Sequence, residues 1–104
     1  MTFWSMLTTK VDADAAASTI DVFVKRRCIE ESAETIPGFR HGQLLQSTED
    51  PGVLCVLCSW DDKASYQQWL DSPLRAAQFP DLQGITASDL VTGMFETVHD
   101  VAKP

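Results

Sequence analysis

Long apolar segments are missing from this chain of 104 residues. The longest run, from Val53 to Cys58, has six residues, whereas a helix that spans a bilayer needs about 20. A secretory signal is not expected either, because Lys10, the only basic residue among the first ten, follows the apolar residues instead of preceding them. We therefore expect a cytoplasmic protein.

Basic side chains are also scarce. The chain has 8 lysines and arginines against 15 acidic residues, which gives a formal net charge of -7. Its one basic cluster, Lys25-Arg26-Arg27, is followed closely by Glu30 and Glu31. Nucleic acids and anionic membranes bind uncompensated basic patches. We therefore expect neither of them as a partner.

Cysteines are too few, and odd in number, for a disulfide scaffold. Cys55 and Cys58 have the spacing of a redox or zinc motif, but residues three apart in a strand point to opposite faces. The histidines, His41 and His99, lie far from this pair in the sequence, although a metal site would need such partners nearby. We expect cysteines buried as small hydrophobes and no metal site. Nucleotide-binding and nucleophile motifs are missing too, so no cofactor is expected.

The composition itself is that of one soluble globular domain over residues 1–104. Hydrophobic residues make up 44% of the chain and charged residues 22%, both close to average values. Apolar spacing and turn residues predict the following elements: a strand over 3–11, a helix from about 15 to 35, strands over 40–48 and 53–60, a helix after 61, a short helix over 73–79 and a strand over 88–98.

Local signals set the boundaries of these elements. Asp50-Pro51-Gly52-Val53 predicts a type II turn, with glycine supplying a positive φ. Asp61 is the expected N-cap of the helix after the third strand, and Ser72-Pro73 reads as the cap and first position of the short helix. On the first helix, the residues expected to face the sheet are Ala16, Ile20, Phe23, Val24 and Arg27.

The order of elements predicts an α+β fold, a ferredoxin-like βαββαβ antiparallel sheet with both helices on one face. The first and third strands are apolar on both sides, yet helices can cover only one face of the sheet. Something outside the monomer must cover the other face. The simplest solution is a homodimer whose two sheets pack face to face.

Two aromatic residues are the best candidates for a site between helices and sheet. Trp60 ends the third strand and Tyr66 lies six residues further on, so both can reach the same end of that space. The indole N–H and the phenol O–H are donors that could hold a phenolate or enolate oxygen in an apolar lining. The alternative is that Trp60, Tyr66 and Trp69 are simply large core residues.

His41 is a candidate general base, since histidine is the side chain that titrates closest to neutrality. Strand alternation places it on one face with Phe39, Gln43 and Leu45. If that face lines the pocket, His41 could act as a base. If it faces a second protomer, His41 is an interface residue, and the sequence leaves both options open.

Four segments in and after the central hairpin carry a resemblance to a known family, namely P-G-F at 37–39, S-T-E-D-P at 47–51, S-W-D-D at 59–62 and Y-Q-Q-W-L-D-S-P at 66–73. Together they resemble the antibiotic biosynthesis monooxygenase family of dimeric α+β barrels. The resemblance implies a homodimer whose two sheets form a barrel, with an active site between sheet and helices in each protomer. It also implies a small, hydrophobic, aromatic substrate.

Some members of that family are cofactor-independent oxygenases of anthrones or related phenols, with a tryptophan and a tyrosine that match Trp60 and Tyr66. Val56 stands where they carry an asparagine, and Phe79 lies near the place of an arginine. The haem-degrading branch is expected to use an asparagine, which this chain lacks entirely. The resemblance implies substrate contacts from Val56, Cys58, Trp69 and Phe79.

The predicted function is therefore a cofactor-free monooxygenase acting on an aromatic, polyketide-like or quinol substrate. The alternatives are a non-redox cyclase or isomerase with His41 as base, or a non-catalytic ligand-binding dimer of the same fold.

Overall fold

The computed structural model describes residues 2–82, 85 and 90–104. The strands are β1 (Phe3–Lys10), β2 (Phe39–Gln46), β3 (Val53–Trp60) and β4 (Val91–Glu96), and the helices are α1 (Ala16–Lys25), α2 (Cys28–Thr35), α3 (Lys63–Leu70) and α4 (Pro73–Gln78). Short 3-10 turns at Ala13–Ala15 and Phe79–Asp81 precede α1 and follow α4. The predicted start of the last strand at residue 88 lies outside the described residues.

The four strands form one antiparallel sheet in the order β2-β3-β1-β4. This is the predicted α+β ferredoxin-like arrangement, and it is confirmed. β1 and β3 lie in the middle, with Phe3 opposite Trp60. None of the helices in the described part of the chain is long and apolar enough to cross a bilayer.

The core lies on one face of the sheet, beneath the helices. Its buried cluster consists of Phe3, Ile36, Cys58, Trp60, Tyr66 and Trp69. The opposite face, called the open face below, carries the alternate residues of each strand. Its apolar members are Trp4, Met6, Leu45, Val53, Cys55, Leu57, Val91 and Phe95. Cys55 and Cys58 thus point to opposite faces, as predicted, and all three cysteines are free thiols.

The first helix is broken in two, which the sequence did not predict. Arg27 has a φ of 58°, in the left-handed region, and neither glycine nor proline marks this point. The amide of Arg27 donates to the carbonyl of Val24 and its carbonyl accepts from Glu31, so it ends α1 and begins the next helix. The predicted sheet-facing stripe fails at its end, because Val24 is 55% exposed and Arg27 is exposed.

The β2–β3 turn is present but is not of the predicted type. The amide of Val53 donates to the carbonyl of Asp50 at 2.9 Å, yet the φ of Gly52 lies outside the left-handed range. Glycine is needed here for another reason, since any side chain at Gly52 would overlap the carbonyl oxygen of Val11. Close approach of two backbones, and not a positive φ, selects the residue.

The N-cap of α3 is Asp62 and not Asp61. The Asp62 carboxylate accepts hydrogen bonds from the amide and the hydroxyl of Ser65, at 2.8 and 2.9 Å. Asp61 instead pairs with the side chain of Arg40. The predicted cap of α4 is confirmed, with Ser72 Oγ accepting from the amide of Leu74 at 3.2 Å.

Candidate active site

Two adjoining cavities lie between the helices and the sheet. The outer one has a volume of about 90 Å³ and the inner one about 60 Å³. The residues that line both are Leu7, Phe23, Val56, Trp69 and Gln78. The space between sheet and helices is therefore open where a ligand site was expected.

Trp60 and Tyr66 close the inner cavity. Their ring centroids are 5.5 Å apart, and the two residues are 1% and 3% exposed. The phenol oxygen of Tyr66 makes no hydrogen bond with any described residue. Every fully buried side-chain oxygen in the described residues does have a hydrogen-bond partner. The Tyr66 oxygen is therefore not fully buried, and its O–H is open to the inner cavity. Burial raises the pKa of Tyr66, with the positive charge of Arg75 acting in the opposite direction.

The indole of Trp60 is already engaged. Its Nε1–H donates to Ser5 Oγ at 3.0 Å, and both residues are buried. Ser5 also lines the inner cavity. Since the serine oxygen accepts from Trp60, its own hydrogen is the group left to donate. The Ser5 hydroxyl, in place of the Trp60 indole, is thus the donor available in the inner cavity, which Tyr66 also lines.

Two buried thiols complete the inner wall. Burial raises the pKa of Cys58 to about 12 and that of Cys28 to about 11. Both thiols stay protonated at neutral pH and are poor nucleophiles, since the thiolate is the reactive form. They serve as apolar lining.

The outer cavity has a different character at its α4 end. The guanidinium of Arg75 lies 5.3 Å from the ring centroid of Phe79, one helical turn away. Gln78 is buried, and its Nε2 donates to the carbonyl of Cys28 at 3.1 Å and to Glu31 Oε1 at 3.0 Å. These bonds fasten the end of α4 to the start of α2. Over the described residues, no group of three or more His, Cys, Asp or Glu could hold a metal ion.

The sequence profile of the antibiotic biosynthesis monooxygenase family matches residues 3–78. The chain belongs to this family. A search of curated protein sequences found no significant match.

Solved structures of this fold include members with different chemistries. SnoaB of Streptomyces nogalater, a cofactor-independent oxygenase, is 19% identical over 98% of this chain and 97% of its own, with a TM-score of 0.76. MhuD of Mycobacterium tuberculosis, a heme degrader solved with two hemes bound, is 25% identical over 96% and 99%, with a TM-score of 0.72. A conserved protein of Methanosarcina mazei is 19% identical over 91% of each chain, with a TM-score of 0.73. These likenesses establish the fold, and the fold alone does not select a reaction.

In this member of the monooxygenase family, the structure brings together all but one of the residues singled out from the sequence. Trp60, Tyr66 and Cys58 line the inner cavity, Phe79 lines the outer one, and Val56 and Trp69 line both. The place where the resemblance expects an asparagine is therefore an apolar wall between the two cavities.

His41 is the exception, and a β-bulge separates it from Phe39, which does face the helices. Phe39 pairs with Trp60 and His41 with Ser59, so Arg40 is an extra residue in β2. The bulge places Phe39 on the helix side, edge-on to Trp60 with ring centroids 5.3 Å apart. His41 is exposed on the open face. It lines neither cavity, so of the two options that the sequence left open the structure favours the one outside the pocket.

Several cavity residues were not singled out from the sequence, among them Ser5, Arg75 and Gln78. Ser5 is a small polar residue on the same face of β1 as Phe3 and Leu7, and such a residue on an apolar strand face is a detectable signal. Arg75 lies four residues before Phe79, so helical spacing alone puts both on one side of α4. Gln78 carries no comparable signal.

Proposed function

We propose that this protein is a small cofactor-independent monooxygenase that oxidises an aromatic, polyketide-like or quinol substrate with molecular oxygen. The observation that carries the proposal is the inner cavity, where the hydroxyls of Tyr66 and Ser5 adjoin a largely apolar space. Two neutral donors in such a space can hold an enolate oxygen and stabilise its charge as electrons move to oxygen. The family membership supports the same chemistry.

The reaction balances without a cofactor. An anthrone loses a proton to give an electron-rich carbanion, which reduces O₂ and forms a C–O bond. Cleavage of the O–O bond and loss of the second hydrogen give the quinone carbonyl and one molecule of water. Among the described cavity residues no side chain is a base at neutral pH, so the proposal requires a substrate that ionises readily in water.

The role of Tyr66 is tested by oxygen uptake. With anthrone as substrate and metal-free protein, the wild type is expected to consume O₂ faster than the spontaneous rate and, under ¹⁸O₂, to place one labelled atom in the quinone. Tyr66→Phe removes only the hydroxyl. Loss of one donor to a developing oxyanion typically costs about 100-fold, and we expect a fall in kcat of at least about tenfold.

Ser18→Ala is the matched control. Ser18 lines neither cavity, and its exposed hydroxyl donates to the carbonyl of Ala15 at 2.9 Å. This variant should keep kcat within about twofold of the wild type. Unchanged turnover in Tyr66→Phe would remove Tyr66 from the mechanism, and wild-type uptake no faster than the spontaneous rate would defeat the proposed reaction.

The proposal includes a homodimer formed through the open face. Phe95 and Val91 are 53% and 70% exposed on this face of the described chain, and Leu45 is 41% exposed. The apolar residues of β3 and β1 on the same face lie between them, and a contiguous apolar patch marks an interaction surface. A second copy with the same self-complementary face would cover them.

A non-catalytic ligand-binding dimer is the second candidate, and Val56 favours it. This residue leaves the wall between the cavities apolar where a polar group is expected in related oxygenases. The two functions separate in one assay run with and without air. Product formation that is indifferent to oxygen, or binding without any product, supports the second candidate. A cyclase that uses His41 as its base has no support in the geometry.

A further inference from the structure

The charge at the outer end of the site points to a property of the ligand. We propose that the ligand is an aromatic acid, whose carboxylate is held by Arg75 while its hydroxyl or enol end enters the inner cavity. The inference deepens the proposed function, since it rests on the same cavities as the ligand site.

Arg75 differs from the other arginines in its partners. Arg26, Arg27 and Arg40 each pair with a carboxylate, from Asp81, Glu34 and Asp61 respectively. Within the described residues, the guanidinium of Arg75 makes no ion pair and no hydrogen bond. A chain with a net charge of -7 offers many carboxylates, yet this arginine lines an apolar cavity instead.

The contact with Phe79 leaves Arg75 ready to bind an anion. The contact is a cation–π contact, with the guanidinium carbon 5.3 Å from the ring centroid. Such a contact uses the charge and leaves the N–H groups of the guanidinium to donate, and their fork geometry matches the two oxygens of a carboxylate. The apolar walls strengthen such a bond by lowering the local dielectric.

The two ends of the site are chemically distinct. Arg75 and Phe79 line only the outer cavity, whereas Ser5, Trp60 and Tyr66 line only the inner one. Apolar side chains such as Val56 and Leu7 line both. The site thus has a cationic end, an apolar middle and an end with hydroxyl donors. A ligand that matches all three has an anionic group at one end, a flat apolar body and a neutral hydroxyl or enol at the other end.

A matched pair of probes tests this pattern by calorimetry at neutral pH. 6-Hydroxy-2-naphthoate and 6-hydroxy-2-naphthamide share the ring and the hydroxyl and differ in the charge at the other end. Because hydrogen bonds to charged groups are the strong ones, we expect the wild type to bind the acid about tenfold or more tightly than the amide. Arg75→Met, which keeps an apolar side chain, should abolish this preference and leave amide binding within about twofold.

Two further variants sharpen the result. Arg75→Lys keeps the charge without the fork and should restore part of the preference. Lys25→Gln removes one positive charge from an exposed surface pair with Asp21, so it should leave both affinities unchanged. Circular dichroism checks that each variant is folded.

The possible failures are distinguishable. Equal binding of the two probes to the wild type, or an equal loss of both in Arg75→Met, overturns the inference and leaves the aromatic site standing. If neither probe binds the wild type, the cavities are not an aromatic-ligand site, and the proposed function fails with the inference.

Discussion

At the scale of single residues, the hydrogen bond from Trp60 to Ser5 links stability to the site. It lies between two buried side chains, so its loss leaves a buried indole N–H without a partner. Such a group costs about 1–3 kcal/mol. The bond therefore ties the ring of Trp60 to Ser5, a residue that lines the inner cavity.

We expect Ser5→Ala to lower the free energy of unfolding by about 1–3 kcal/mol, measured by urea denaturation. In a Trp60→Phe background the indole donor is already gone, so the same substitution should cost less. The difference between the two backgrounds is the coupling energy of the pair. Ser18→Ala, at an exposed position of α1, should stay within about 0.5 kcal/mol of the wild type. Equal costs in both backgrounds would show that the bond does not contribute.

The residues of the site could be predicted only in part. Trp60 and Tyr66 were found because they are aromatic and lie six apart across a strand end and a helix. Ser5 and Arg75 come from the first strand and a later helix, and their meeting with the hairpin residues depends on tertiary packing. The face of His41 was left open, and Phe39 was wrongly expected to share it, because the bulge at Arg40 leaves no compositional mark.

At the scale of elements, predictions succeeded where a strong local signal exists. Ser72-Pro73 starts α4 as expected, since serine caps and proline fits the first helical turn. The predicted bounds of β3 also agree with the structure, because the largely apolar segment from Val53 to Trp60 has turn-forming residues on both sides. The break at Arg27 was missed, since neither glycine nor proline marks it and only the hydrogen bonds of the neighbouring turns define it. The sequence alone could not show which of two adjacent aspartates, Asp61 or Asp62, is the N-cap of α3.

The N-cap of α3 can be tested by substituting Asp62, with the neighbouring Asp61 as the control. Asp62→Ala removes the acceptor of two hydrogen bonds from Ser65 and should lower the urea midpoint of unfolding. Asp61→Ala loses only an exposed ion pair with Arg40, so it should change the midpoint far less. A larger effect from Asp61→Ala would mean that the cap is misassigned.

The effect of Asp62 should depend on pH. Hydrogen bonds from the amide and hydroxyl of Ser65 lower the pKa of the Asp62 carboxyl in the folded chain. The stabilisation is therefore complete above the ordinary aspartate pKa of about 3.9 and is lost as the pH falls through the lower, folded-state pKa. The midpoints of wild type and Asp62→Ala should differ at pH 7 and converge in acid. A gap that does not narrow would show that the carboxylate charge is not involved.

At the scale of the whole molecule, the two faces of the sheet have different roles. Its helix side holds the core and both cavities, while its open side carries apolar residues from all four strands. The alternation that places Trp60 and Cys58 inward places Leu57 and Cys55 outward. The same strand, β3, therefore supports the proposed ligand site and the proposed dimer interface.

Leu57 lies near the middle of the open face, opposite Met6 and Gln43 on the neighbouring strands. We expect the wild type to sediment with twice the 11.5 kDa mass of one chain, and Leu57→Glu to shift it to the monomer, because two like charges would be buried face to face. Ala64→Glu, on the exposed surface of α3, adds the same charge and should leave the dimer intact. A wild type that is monomeric at high concentration, or a Leu57→Glu variant that is folded by circular dichroism and still dimeric, would place the interface elsewhere or remove it. If the variant dissociates yet keeps its affinity for the naphthol probes, the ligand site is complete within one protomer.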